Sequence, residues 1–227
     1  MSRTILRDYT SPNFDARTVP VSMVVLHYTG MQDGPSALAR LCDPKAKVSA
    51  HYCIEEDGRI FQLVDEALRA WHAGVSAWRG VRDINGASIG IELVNPGHEF
   101  GYRPFPQEQI AALLWLLGDI VQRHGIAPEA VVGHSDVAPA RKTDPGELFP
   151  WAELAAHGLA APTPKAGTAP DWDAAALSQA LSIYGYDISD LTKAVQAFQR
   201  RFRPRLCDGQ ADAQTRALLA ALLQSRL

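Results

Sequence analysis

His27 closes the run Val21-Ser-Met-Val-Val-Leu-His27, at the C-terminal end of an expected buried strand, where a side chain can face an open site. His134 stands at a matching place after Val131-Val132-Gly133, and Asp144 follows in the loop Arg141-Lys-Thr-Asp-Pro-Gly146. Two imidazoles and a carboxylate supply three ligands and leave a fourth tetrahedral position for water, the pattern of a catalytic rather than a structural zinc. Spacing alone does not bring such distant groups together. A histidine at a strand end is more often a satisfied core or surface residue, and an Asp-Pro-Gly is more often simply a turn.

Two further residues have the chemistry such a site needs. Glu92 lies in the expected strand Ser88 to Val94, beside Ile89 and Ile91, where a carboxylate is costly unless it is paired or functional. On alternation alone it reads better as an outward or edge residue. Lys142 precedes Asp144 by two residues, so it either points at the same pocket or is a solvated loop lysine.

The elements that must position these groups alternate between the two periodicities. Val48 to Ile54 and Ile60 to Val64 flank Asp57-Gly58, a hairpin signal. Gln107 to His124 repeats apolar residues at a helical period and stops before Gly125. With the strands at 21–27, 88–94 and 131–132, this predicts an α/β class: a central mixed β-sheet flanked by helices. The segment Ala160-Ala-Pro-Thr-Pro-Lys-Ala-Gly-Thr-Ala-Pro170 has three prolines and no large apolar residue, so it reads as an extended linker. It divides the chain into a catalytic domain at 1–158, a Pro/Ala linker at 159–170 and a small three-helix domain at 171–227. Asp173, Asp190 and Asp212 are placed to cap the three helices.

Six pieces occur in order: His27-Tyr-Thr29, Ser49-Ala-His-Tyr52, Ala70-Trp-His-Ala-Gly74, Ser88-Ile-Gly-Ile-Glu92, Gly133-His-Ser-Asp136 and Arg141-Lys-Thr-Asp-Pro-Gly146. Together they resemble the zinc-dependent N-acetylmuramoyl-L-alanine amidases of AmpD and AmiD type, over about residues 20 to 155. Phage amidase lysozymes and peptidoglycan-recognition proteins are more distant relatives. The resemblance implies one Zn2+ held by His27, His134 and Asp144, with Glu92 as general base and Lys142 holding the oxyanion. It puts Trp71, His72, Ala73 and Asn85 on the substrate rim. His51 is placed with them; His51 and His72 either orient substrate, support a ligand or are structural. Some relatives carry Tyr where this chain has Ala50, and use it in place of a carboxylate base; this chain follows the Glu-using pattern.

The implied reaction is hydrolysis of the amide between N-acetylmuramic acid, in its 1,6-anhydro form during cell-wall recycling, and L-alanine of the stem peptide. Periplasmic action on intact peptidoglycan and a non-catalytic peptidoglycan receptor are the rival expectations. The tail pieces Leu177 to Tyr186, Ala194 to Pro204 and Asp208 to Leu219 resemble a small helical peptidoglycan-binding domain. Its Arg200, Arg201, Arg203 and Arg205 read as a solvated basic face or, more sharply, as a site for wall-peptide carboxylates. Trp78 reads as a core residue or as a face for sugar.

Composition excludes several other classes. With 22 Lys+Arg against 25 Asp+Glu the net charge is −3, which does not suit a broadly cationic nucleic-acid binder. At 47% apolar and 21% charged the chain has ample material for a core, and no apolar run reaches the roughly 20 residues of a membrane span. The expected partner is muropeptide or peptidoglycan, with no nucleic acid and no membrane span. Three cysteines are too few for a disulfide framework, and the first ten residues lack a secretory pattern; both favour a cytoplasmic location.

Overall fold

The computed structural model describes residues 3–225; Met1, Ser2, Arg226 and Leu227, at the outer ends of the two expected domains, lie outside the described residues. The chain runs β1 (Ile5–Leu6), β2 (Phe14–Ala16), β3 (Met23–Tyr28), α1 (Gly34–Cys42), β4 (Tyr52–Ile54), β5 (Ile60–Gln62), β6 (Leu68–Ala70), α2 (Ile84–Ala87) and β7 (Ser88–Leu93). It continues through α3 (Gly97–Phe100), α4 (Gln107–His124), β8 (Val131–Gly133), α5 (His134–Val137) and α6 (Trp151–Ala156) to the tail helices α7 (Ala174–Tyr184), α8 (Leu191–Phe202) and α9 (Ala213–Gln224).

Among the described residues the main sheet is six-stranded and mixed, in the order β1-β5-β4-β7-β3-β8. β3, at its functional centre, runs parallel to β7 and to β8, and β4 runs parallel to β7 but antiparallel to β5. The β4–β5 hairpin turns where Asp57-Gly58 signals it, with Gly58 in the left-handed region at φ 86°. The register pairs His27 with Glu92 and Val25 with Gly90. Directly paired residues of neighbouring strands point the same way, so His27 and Glu92 share one face of the sheet.

Alternation then decides what covers each face. Val24, Leu26, Ile89, Ile91 and Leu93 face the opposite side, where they pack with Ile110, Leu113, Leu117 and Ile120 of α4 in one apolar cluster. The His27 face is covered in two parts. Leu38 and Leu41 of α1 pack with Cys53 and Phe61 on the β4–β5 side. Met23, Val25 and Val132 on the other side pack with Leu181, Tyr184 and Phe198 of the tail. The functional groups sit in the gap between these two coverings.

The tail helices form as the sequence predicts. Asp173, Asp190 and Asp212 accept from the backbone N–H groups of Ala176, Lys193 and Thr215, satisfying donors that each helix start would leave orphaned. Their packing differs from the picture of a module on a linker. The tail and the amidase part share a single core, in which Trp78 is buried against Tyr184 and Tyr186, so Trp78 is a core residue and not a sugar platform. Each large apolar side chain fully buried there contributes about 1.5–3 kcal/mol toward keeping the tail docked. The basic cluster splits as well. Arg205 is exposed, but Arg201 and Arg203 are buried and spend their charge on Asp136 and Asp212, which leaves no continuous solvated basic face.

Candidate metal centre and active site

Three elements deliver the candidate ligand set. His27 is the next-to-last residue of β3, His134 opens α5 directly after β8, and Asp144 lies in the loop that follows α5. His27 Nδ1 lies 3.0 Å from His134 Nδ1 and 3.1 Å from Asp144 Oδ2, and His134 Nδ1 is 3.0 Å from the same oxygen. Among the described residues this is the group of histidine, cysteine and carboxylate side chains whose ligand atoms converge as a metal requires. Tetrahedral ligands at 2.0–2.1 Å from an ion lie about 3.3 Å apart, close to the observed triangle.

Hydrogen bonds behind the rings point the lone pairs inward. Ser88 Oγ donates to Ile84 O, so the His72 Nε2–H donates to Ser88 Oγ at 3.1 Å and leaves His72 Nδ1 as an acceptor. His27 Nε2–H donates to that atom at 3.0 Å, which bares His27 Nδ1. His134 Nε2–H donates to the Ala73 carbonyl at 3.1 Å and bares His134 Nδ1 in the same way. The tautomers are assigned from this network. Two neutral imidazole nitrogens and a carboxylate oxygen thus face one another, an arrangement a cation satisfies.

The electrostatics agree. Burial, then the neighbouring His134, lowers His27 to about 4, so its ring is neutral and ready to ligate. Burial works to raise Asp144, but His134 and His27 outweigh it and hold the carboxyl well below the ordinary range. His72 is pushed well down by burial and by His27, as a neutral relay requires.

Glu92 lies at the wall of a cavity of about 530 Å3 that also exposes Asp144, His134, Lys142 and Arg141. Its Oε2 is buried and has no hydrogen-bond partner among the described residues. Burial, and then the Asp144 carboxylate, push the Glu92 carboxyl well above its ordinary range, with Lys142 pulling the other way. A buried carboxylate oxygen without a partner is costly and has to be accounted for by the chemistry of the site. The volume suits a ligand of muropeptide-fragment size.

The residues expected on the substrate rim separate into two groups. His72 reaches the cavity wall. Trp71, Ala73, Asn85 and His51 are not among the residues that line the cavity. Trp71 turns its indole N–H to Asp15 at 2.7 Å. Asn85 Oδ1 accepts from the backbone N–H groups of His72 and Ala73, which fixes the loop that presents both. His51 is buried behind His72, its Nδ1 accepting from Gly90 N–H at 2.9 Å; burial lowers it to about 4. These contacts position the site from behind and leave the cavity wall to other side chains.

Sequence reasoning missed two contributors. Ser88 completes the relay, and alternation could have found it, since Ser88, Gly90 and Glu92 share the His27 face. Arg141 lines the cavity and donates to the carbonyls of Ala73 and Val75, tying that loop to the lysine loop. No short-range signal marks that contact.

Comparison with known proteins agrees with this geometry. The N-acetylmuramoyl-L-alanine amidase family matches residues 17–147. The N-acetylmuramoyl-L-alanine amidase AmiD of Escherichia coli is 44% identical, over 90% of this chain and 83% of its own. A solved complex of that AmiD with the substrate anhydro-N-acetylmuramic acid-L-Ala-D-gamma-Glu-L-Lys superposes with a TM-score of 0.82 at 40% identity, covering 93% of this chain and 92% of that one. The crystal structure of AmpDh3 from Pseudomonas aeruginosa matches with a TM-score of 0.80 at 34% identity, over 99% of both chains. The 1,6-anhydro-N-acetylmuramyl-L-alanine amidase AmpD of Haemophilus influenzae is 37% identical, over 65% of this chain and 89% of its own. The chain therefore belongs to the metal-dependent N-acetylmuramoyl-L-alanine amidase family.

Proposed function

We propose that this enzyme hydrolyses the amide joining the lactyl group of 1,6-anhydro-N-acetylmuramic acid to L-alanine, with one zinc ion held by His27, His134 and Asp144. The observation that carries the reading is the convergence of His27 Nδ1, His134 Nδ1 and Asp144 Oδ2 beside the unpartnered Glu92 carboxylate. Two imidazoles and a carboxylate with an open fourth position suit zinc. When bound, the ion acts as a Lewis acid at the open position and makes water nucleophilic at neutral pH.

The side chains divide the remaining work. Glu92 takes a proton from the water that attacks the lactyl carbonyl carbon. Lys142, at the same cavity wall, holds the oxyanion that develops as the carbon becomes tetrahedral. The carbon–nitrogen bond then breaks, and Glu92 returns its proton to the leaving alanine nitrogen, so that the base ends as it began. His72 and Ser88 hold the His27 ring in its ligating tautomer, and Ala73 does so for His134.

The substrate preference rests on two solved relatives that hold anhydromuramyl peptides, the AmiD complex and an AmpDh3 complex with anhydromuramic pentapeptide. Recycling of such fragments in the cytoplasm fits the three free cysteines. Among the described residues no helix is long and apolar enough to cross a membrane. Ile183, Ile188 and Leu206 are the large apolar side chains of the tail that stay exposed.

The test compares release of stem peptide from 1,6-anhydro-N-acetylmuramyl tripeptide and from intact sacculi, before and after chelation and with zinc restored. Zinc-dependent turnover that favours the soluble fragment is expected. A strong preference for sacculi would overturn the substrate reading, and no release at full zinc loading would leave only a peptidoglycan receptor.

A further inference from the structure

Between the amidase part and the tail, beside the apolar core that they share, lies a buried polar cluster. Asp136, two residues after the His134 ligand, is buried together with Arg201 of α8, their side chains 2% and 4% exposed. Asp136 Oδ2 accepts from Arg201 at 3.2 Å and from Gly133 N–H at 2.8 Å. Asp136 Oδ1 accepts from the Tyr186 hydroxyl at 2.7 Å. Arg201 also donates to Val131 O at 2.9 Å, and its guanidinium lies 3.9 Å from the Trp151 ring centre. Two tail side chains thereby grip both ends of the short segment that carries His134: Val131 in β8 before it and Asp136 in α5 after it.

We infer that Tyr186 and Arg201 of the helical tail are positioning residues for the metal centre, holding His134 in its ligating place through Asp136; this rests on reading His134 as a metal ligand. The grip extends to the other ligand loop, because Ser135 N–H donates to Asp144 O at 2.8 Å. A buried carboxylate with three donors and an arginine with two acceptors and an aromatic face leave little freedom at either end. The shared apolar core explains why the tail stays docked; it does not explain a buried ion pair at this place. Replacing such a pair by apolar residues is often neutral or stabilising, so stability alone does not account for it. Placement of the ligand loop does.

The experiment uses the full chain with Tyr186→Phe, Arg201→Met and Arg201→Lys, and with Leu181→Ala as a control in the same interface that leaves Asp136 untouched. Zinc affinity is measured by competition with a chromogenic chelator, and ligand geometry by the absorption spectrum of the cobalt-loaded protein. Tyr186→Phe and Arg201→Met are expected to weaken zinc binding about tenfold and to alter the cobalt bands. Arg201→Lys should recover part of the affinity. Leu181→Ala should lower the melting temperature while leaving affinity within about twofold and the bands unchanged. Wild-type affinity and spectrum in folded Tyr186→Phe and Arg201→Met would overturn the inference, as would equal weakening in Leu181→Ala. If Arg201→Met does not fold, Tyr186→Phe and Arg201→Lys decide it on the same readouts. Zinc loading of the wild type that His134→Ala abolishes is the separate check on the ligand reading; a wild type that binds no zinc removes that reading and the inference with it.

Discussion

Glu92→Gln separates the chemistry of the site from its architecture. The substitution keeps the volume and removes the proton acceptor. Glu92 is not one of the three groups whose ligand atoms converge, so zinc affinity should stay within about threefold. Turnover should not survive. A general base contributes about 10²–10⁴ in rate, or roughly 3–5 kcal/mol of barrier. Stability should move the other way, because Oε2 is buried without a partner among the described residues. Leaving such a group unsatisfied costs about 1–3 kcal/mol; because burial pushes the Glu92 carboxyl above its ordinary range, folding at neutral pH costs either burial of its charge or uptake of a proton, and an amide bears neither cost. Relief of roughly 1 kcal/mol in a chain of this size raises the melting temperature by about 2–4 °C. The expected outcome is a better-folded, zinc-loaded, nearly inactive protein, the usual direction when an active-site strain is removed.

The assay pairs peptide release by chromatography, at metal content verified by elemental analysis, with thermal unfolding of the metal-free protein. Turnover within tenfold of wild type at full zinc loading would refute the base assignment. A fall in melting temperature together with zinc loss would refute the reasoning differently, by making Glu92 a structural support of the ligands.

Lys142→Met should keep zinc and change KM by only a few-fold while kcat falls about 10²–10³, the loss typical of one oxyanion donor, read from steady-state kinetics on the anhydromuramyl tripeptide. Gly90→Ala would place a methyl 2.4 Å from His72 Cγ, so the relay behind His27 must shift; calorimetric titration should show zinc binding about tenfold weaker, with a stability cost of about 1–3 kcal/mol. Glu66 accepts from Tyr52, Arg123 and His124; burial opposes these contacts, but they hold its carboxyl at about 2 where the ordinary value is 4.5. Because the folded value is depressed, this stability is present above pH 4.5 and is lost as pH falls toward 2, and solvent screening of the half-buried group limits it to about 1–2 kcal/mol; the melting-temperature gap between wild type and Glu66→Gln should therefore narrow by about half on acidification from pH 7 to pH 3.

The side chains proposed to react were legible in the sequence because each lies in a short motif on an element whose period is plain. His27 closes a β-run, His134 follows another, and Glu92 stands two positions after Gly90 on a strand whose alternation survives in the fold. The helix Gln107–His124 forms over the range its apolar period and Gly125 define. Less legible was α1, only nine residues long, although Asp33 caps it and Ala37, Leu38 and Leu41 keep a helical spacing; it supplies one wall of the cavity. The roles of Asn85 and His51 were not legible either. Both act by accepting from backbone N–H groups, and a motif that fixes residue types does not record such contacts.

The tail shows a deeper limit. Its three helices, their caps and their apolar stripes follow from local rules, so its internal fold is readable from the chain. What it does is decided by Arg201 meeting Asp136, and no local rule distinguishes an arginine that will be 4% exposed in an ion pair from the exposed Arg205 close after it. Charge patterning on a helix predicts a solvated face by default, and it fails where the facing surface carries a buried carboxylate of its own. That failure falls at the segment carrying His134 of the candidate metal site. Local rules tend to break where function imposes a requirement of its own. The same argument bears on the expected linker at 159–170: Ala160 and Ala161 are buried, Ala160 within the apolar cluster under α4, so the packed part extends past residue 158 and the segment joins two parts that share a core.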